Sequence, residues 1–125
     1  MLINLSNHPS DLWEDDQKNE AVKLYGEILD YSFPAVDPYG DENYISALAK
    51  DYADTCINIF SGLKDRKHAV HIMGEFNFCF AVVNILLKNG ITCVASTSVR
   101  IAEEISLNEK ISKFKFVRFR EYGFG

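Results

Sequence analysis

The chain is short of positive charge. Its 13 Lys and Arg stand against 18 Asp and Glu, for a net charge of −5 and a pI near 5.1. Nonspecific binding to duplex nucleic acid needs a basic face, so that class is excluded. A small anion in a local pocket is not, because helix N-termini and a few arginines can hold one in an acidic protein. No run of 18 apolar residues exists, so no membrane span is expected. The opening "MLINLSNHPS" lacks the basic region and apolar stretch of a signal peptide and reads as a first strand. Cysteine is scarce: Cys56, Cys79 and Cys93 are odd in number, widely spaced and set among apolar residues, with no CxxC. Buried free thiols in a reducing, cytoplasmic setting are the simplest account. There is no HxH, no HExxH and no Cys-His spacing, so neither a metal nor another cofactor is expected. GxGxxG, P-loop and GxSxG strings are missing too, which leaves a Ser-His-Asp triad open but unsignalled.

What is present alternates between strand and helix, in 125 residues that suit one domain over 1–125. "MLINLSN" (1–7) reads as a strand, and Pro9 with Ser10 or Asp11 starts a helix over about 11–24, acidic at its beginning and closed by Gly26. "EILDYSF" (27–33) is the second strand, and Pro34, Pro38 and Gly40 make a loop. Ile45, Leu48, Tyr52, Cys56, Ile59 and Leu63 recur at spacings of three and four, one buried stripe on a helix over 42–62. After a polar turn at "KDRK" (64–67), "HAVHIMG" (68–74) is a strand, residues 75–88 a helix stopped by Asn89-Gly90, and "ITCVAST" (91–97) a strand. "SKFKFVRFREY" (112–122) is the last. Between the two lies either a short helix over 99–105 or a hairpin turning near Leu107-Asn108-Glu109-Lys110, and the hairpin is preferred. The expected fold is α/β: a Rossmann-like, mostly parallel sheet of about five strands with flanking helices and a C-terminal β-hairpin or edge strand. The third helix is apolar nearly all round, from Phe76 to Leu87. It is either central or turned toward a second subunit, which makes a homodimer plausible.

In open parallel sheets ligands bind beyond the carboxyl ends of the strands. That rule gathers Ser6, Asn7, His8 and Ser10 after the first strand, Asp37 after the second, Gly74 and Glu75 after the third, and Ser96, Thr97, Ser98 and Arg100 after the fourth. Each has a plainer use as well. Ser6, Asn7 and Ser10 are common capping and turn residues. His8 is a general acid or base near neutral pH, or a solvated loop histidine. His68 and His71, inside the third strand, read as packing or edge residues. Gly74 serves a close backbone approach or a tight turn. Glu75 complements the helix N-terminus or faces a ligand. Arg100 offers a bidentate contact to phosphate or is a surface charge. Arg118 and Arg120 alternate on one face with Phe114, Phe116 and Tyr122, for ion pairs or an anionic site.

The layout, with "LINLSNHP", "HIMGE", "CVASTSVR" and "FKFVRFREY", resembles the small stand-alone CRISPR-associated Rossmann-fold proteins, the CARF-type ring nucleases and their relatives. The resemblance implies binding of a cyclic oligoadenylate second messenger of antiviral signalling at a dimer interface. It also implies metal-independent cleavage, in which the ligand's own 2′-hydroxyl attacks the neighbouring phosphodiester. The matching positions are Ser6, Asn7 and His8 on the first loop, with Ser10 beside them, and Ser96, Thr97, Ser98 and Arg100 on the later one. His8, Ser6 and Arg100 would take the catalytic parts. Larger CARF proteins often use a lysine near the last core strand, and this sequence has Arg100 there. In-line cleavage also needs donors for the developing charge, which Arg100, the Gly74 backbone and the third helix's N-terminus could supply, while His8 protonates the leaving oxygen. Glu75 would contact a ribose hydroxyl, an adenine amine or Arg100. Two other functions fit the same rim: a non-catalytic nucleotide sensor or sponge, and an unrelated small-molecule enzyme using His8 and Glu75.

Overall fold

The computed structural model describes residues 1–63, 66–106 and 109–123, with the backbone alone at 103–105 and 109–111. Five strands, β1 (Leu2–Ser6), β2 (Ile28–Asp30), β3 (Ala69–Met73), β4 (Cys93–Ser106) and β5 (Glu109–Glu121), form one sheet in the order β2-β1-β3-β4-β5. The first four run parallel and β5 returns antiparallel to β4. The helices are α1 (Asp15–Tyr25), α2 (Glu42–Ser61) and α3 (Phe76–Lys88). The strand order reverses between β1 and β3, so the crevice beyond their carboxyl ends is the switch point of the fold. No helix among the described residues is long and apolar enough to cross a membrane.

Strand alternation divides the core in two. Ile3, Leu5, Val70, Ile72 and Cys93 face α2 and α3, while Leu2, Ala69 and Val94 face α1 with Trp13, Ala21, Tyr25 and Phe119. Asp41 caps α2 by accepting from the Tyr44 N–H at 2.9 Å. The centre of the α2 stripe is Ala49, Ala53, Cys56 and Phe60, with Ile45, Leu48, Tyr52, Ile59 and Leu63 at its flanks. Small side chains at the centre let the helix lie close, so the expected bulky stripe becomes its rim. Phe78 on α3 is fully buried, with its ring edge-on to Phe33 and Tyr52 at 5.1 and 5.4 Å between centroids. Burial of a side chain of this size contributes roughly 2–3 kcal/mol. The opposite side of α3 is open: Phe76 is 89% and Phe80 76% exposed, so the helix is not central. The three cysteines are buried and free, and burial pushes the Cys56 and Cys93 thiols up to about 12 and Cys79 to about 11.

Two boundaries differ from expectation. The first helix starts at Asp15, after a 3-10 turn at Ser10–Leu12, because Pro9 and Trp13 are extended. That detour lays the Trp13 indole across His71, with centroids 5.1 Å apart. Strand β2 keeps three residues as an edge strand, and the chain then leaves to stack Tyr31 on Tyr52 at 4.9 Å. Residues 99–105 extend β4 as one arm of the preferred hairpin; of the expected turn, Glu109 and Lys110 already belong to β5, while Leu107 and Asn108 lie outside the described residues, as do residues 64 and 65 of the "KDRK" turn.

The hairpin also contains a bulge. The register passes from Thr97↔Arg118 to Ser98↔Phe116, leaving Val117 without an opposite residue. Phe116 and Phe119 therefore both turn toward α1, three residues apart. Tyr122 packs on the other side, where its hydroxyl donates to the Ile72 carbonyl at 2.7 Å. The single face expected for Phe114, Phe116, Arg118, Arg120 and Tyr122 is thus broken at Val117.

Candidate functional site

On the α1 side the sheet changes character along its length. At its lower end Leu2, Ala69 and Val94 are apolar. One and two steps on, the same face presents Asn4 and Ser6 from β1, His71 and Met73 from β3, and Ser96 and Ser98 from β4. Strand pairing sets Asn4 directly beside His71. All of these but the buried Asn4 floor a cleft of about 350 Å³, which Trp13, Gln17, Phe114 and Phe116 enclose from α1 and the hairpin.

The floor is one connected network. Asn4 Nδ2 donates to Asp30 Oδ1 at 2.9 Å and to the His8 carbonyl at 2.8 Å, which fixes Asn4 Oδ1 as the acceptor. That oxygen receives the Ser6 hydroxyl at 2.7 Å and lies 2.9 Å from His71 Nδ1, so Nδ1 carries the proton. Burial, and secondarily the charge of His8, lower the His71 pKa to about 4. At neutral pH the imidazole is therefore uncharged, and its Nε2 lone pair points at Ser96 Oγ, 2.7 Å away. The Ser96 hydroxyl donates to it and accepts from Gln17 Nε2 at 2.9 Å. His71 is only 2% exposed, wedged between Trp13 and Phe119, while Ser96 opens on the cleft.

Asp30 anchors the far end. It accepts from the Ser10 N–H at 3.0 Å and the Ser10 hydroxyl at 2.8 Å. Burial works to raise its pKa, but the hydrogen bonds from Asn4 and Ser10 outweigh that and hold it below the usual value. The His8 carbonyl is a second anchor, taking the Trp13 indole N–H at 3.0 Å. The backbone N–H of Ser96 donates to the Met73 sulfur at 3.3 Å, a weak acceptor.

Of the residues singled out from the sequence, Ser6, His8, Ser96, Thr97 and Ser98 line this cleft. Ser10 stands behind it on Asp30, and Asn7 is exposed beside it. The others lie elsewhere. Glu75 caps α3, accepting from the Asn77 N–H at 2.6 Å and the Phe78 N–H at 3.2 Å. Gly74 has an ordinary φ and leaves room for the Phe33 ring, which a Cβ would strike. Arg100 sits out on the hairpin, its guanidinium on Ser112 Oγ at 2.8 and 3.1 Å. Asp37 holds its own turn through the Tyr39 N–H at 2.9 Å. Asn4, Asp30, Gln17 and His71 were not singled out as site residues. For Asn4 and His71 the signal is present in "LINLS" and "AVHIM", where the polar residues fall in the same phase on strands that pair.

A larger depression of about 510 Å³ lies between the start of α2 and the outer side of α3, lined by Asp41, Glu42, Ser46 and Phe80 among others. Among the described residues that line it, no imidazole stands beside a hydroxyl. Among the described residues no three His, Cys, Asp or Glu side chains are grouped so as to hold a metal ion.

The sequence model of the Uncharacterized protein MJ1673 family matches residues 1–120. The chain belongs to that family. No curated protein and no solved structure matches it. The stretch shared with the MJ1673 family takes in every strand that floors the cleft and the hairpin nearly to the end of β5.

Proposed function

We propose that this chain binds a cyclic oligoadenylate second messenger of CRISPR antiviral signalling in the cytoplasm, as a homodimer, and cleaves it without a metal ion or cofactor. The observation that carries the reading is the uncharged His71 imidazole hydrogen-bonded to a cleft hydroxyl at the switch point of the sheet. A ribose 2′-hydroxyl placed against Ser96 Oγ passes its proton through Ser96 to His71 Nε2. The 2′-oxygen then bonds to the adjacent phosphorus, the bond from phosphorus to the 5′-oxygen breaks, and His8 protonates that oxygen. Trp13, Phe114 and Phe116 give adenine rings surfaces to stack on. The Ser98 hydroxyl supplies a neutral donor to the phosphate, while the Ser6 hydroxyl holds Asn4 in place beneath it, and Arg100 stands on the hairpin that rises from the cleft. The exposed Phe76 and Phe80 side of α3 supports pairing with a second copy.

The test is incubation with cyclic tetra- and hexaadenylate in EDTA, with products resolved by chromatography. Linear products ending in 2′,3′-cyclic phosphate are expected. Retention without turnover would reduce the function to that of a sensor or sponge, and no retention of either ring would overturn the reading.

A further inference from the structure

We infer that Ser96 is itself a nucleophile, and that the cleft can form a covalent acyl-serine intermediate with small, uncharged carboxylic esters. This does not depend on the oligoadenylate reading. Asn4 Oδ1, His71 and Ser96 Oγ stand in line at 2.9 and 2.7 Å, with Asp30 2.9 Å behind Asn4. A nucleophilic hydroxyl needs this arrangement: a base within hydrogen-bond reach, and a third group that fixes the base's tautomer. The ring is locked by Trp13 and Phe119, so Nε2 has one direction to face.

Two donors stand beside Oγ for the oxyanion. Gln17 Nε2 is 2.9 Å away, and the Ser96 N–H is held only weakly by the Met73 sulfur, at 3.3 Å, because β3 has already turned off into α3. A carbonyl oxygen is a better acceptor than a thioether and displaces it. The substrate class follows from the walls. Leu12, Trp13, Phe114 and Phe116 are apolar, which favours an apolar acyl group.

In the step, Ser96 Oγ bonds to the carbonyl carbon and its proton moves to His71 Nε2. The tetrahedral intermediate expels the alcohol oxygen, which takes that proton as the ester C–O bond breaks. Water, deprotonated by the same nitrogen, then releases the acid and restores the serine.

A fluorophosphonate is the direct probe. Oγ bonds to phosphorus, fluoride leaves, and the proton goes to His71. With the full chain, one adduct is expected, assigned to Ser96 by peptide mass spectrometry. Ser61 serves as the internal comparison, since its exposed hydroxyl faces the Asn58 carbonyl. Ser96→Ala should remove the adduct, and His71→Gln should slow it on the order of 100-fold. Because His71 is buried, the unmodified protein carries a second measurement. Its labelling rate should be level from neutral pH to about 5 and fall toward about 4 as the imidazole gains a proton. The titratable groups around that ring are His8 and Glu14 at the cleft and Asp30 behind Asn4, while β4 and β5 bring the uncharged Ser96 and Phe119. An absent Ser96 adduct, equal labelling of Ser61, or a rate that simply tracks hydroxide through this range overturns the inference.

Discussion

Acid should weaken this protein before its carboxylates titrate, and the reason is one ring. Folding lowers the His71 pKa from an ordinary 6.5 to about 4. As pH falls, the unfolded chain takes up the proton first, so stability is complete above about 6.5, drains between 6.5 and 4, and levels off below. At about 1.36 kcal/mol per pKa unit, the full difference is about 3 kcal/mol, and about 2 kcal/mol of it is gone by a pH near 5. That is a large part of the margin of a small domain. Urea denaturation at pH 7.5 and 5 should show a midpoint falling by on the order of 1 M. In His71→Gln, where the amide keeps a donor and an acceptor but cannot titrate, that portion of the fall should vanish. NMR should find the His71 ring neutral, with its proton on Nδ1, at pH 6. Titration near 6.5, or the same acid loss in the variant, would refute the buried relay. Asp30, held low by Asn4 and Ser10, adds a second loss only below the ordinary carboxylate value of 3.8.

Glu75→Ala removes the cap of α3 and should cost about 1 kcal/mol in chemical denaturation, with no change in affinity for any cleft ligand. Gly74→Ala should cost roughly 1–3 kcal/mol through the Phe33 ring, and Phe33→Leu in the same chain should return part of it. Phe78→Ala should cost about 3–5 kcal/mol, near the limit of what the fold withstands. Light scattering should give a mass near twice 14.2 kDa, and Phe80→Glu should halve it; a monomer at micromolar concentration would remove the dimer from the proposal.

The sheet was legible because its strands are short apolar runs separated by helices with clear periodicity and stops, such as Gly26 and Asn89-Gly90. The hairpin was legible only as the preferred of two readings, because residues 99–105 suit a short helix as well as a strand until β5 pairs with them. The floor of the cleft was harder to see. A histidine between Val70 and Ile72 reads as packing, and only register makes it more: pairing with Asn4 on one side and proximity to Ser96 on the other are facts about three strands at once. The rim rule found the height of the site but not its face. Gly74 and Glu75 meet the rule yet serve Phe33 and α3. The start of α1 was missed because nothing local shows that Trp13 must stay extended to reach His71.

Val117 is the point on β5 where the chain carries one residue more than its partner strand. Removing it would leave Phe114 and Phe116 facing the cleft and Arg118 and Arg120 facing away, since the alternation on either side would simply join. What would change is aim, because a bulge bends and twists its strand. Length at this position is a steering setting: one residue more or less swings the outer hairpin relative to Ser96 without altering the chemistry on the floor.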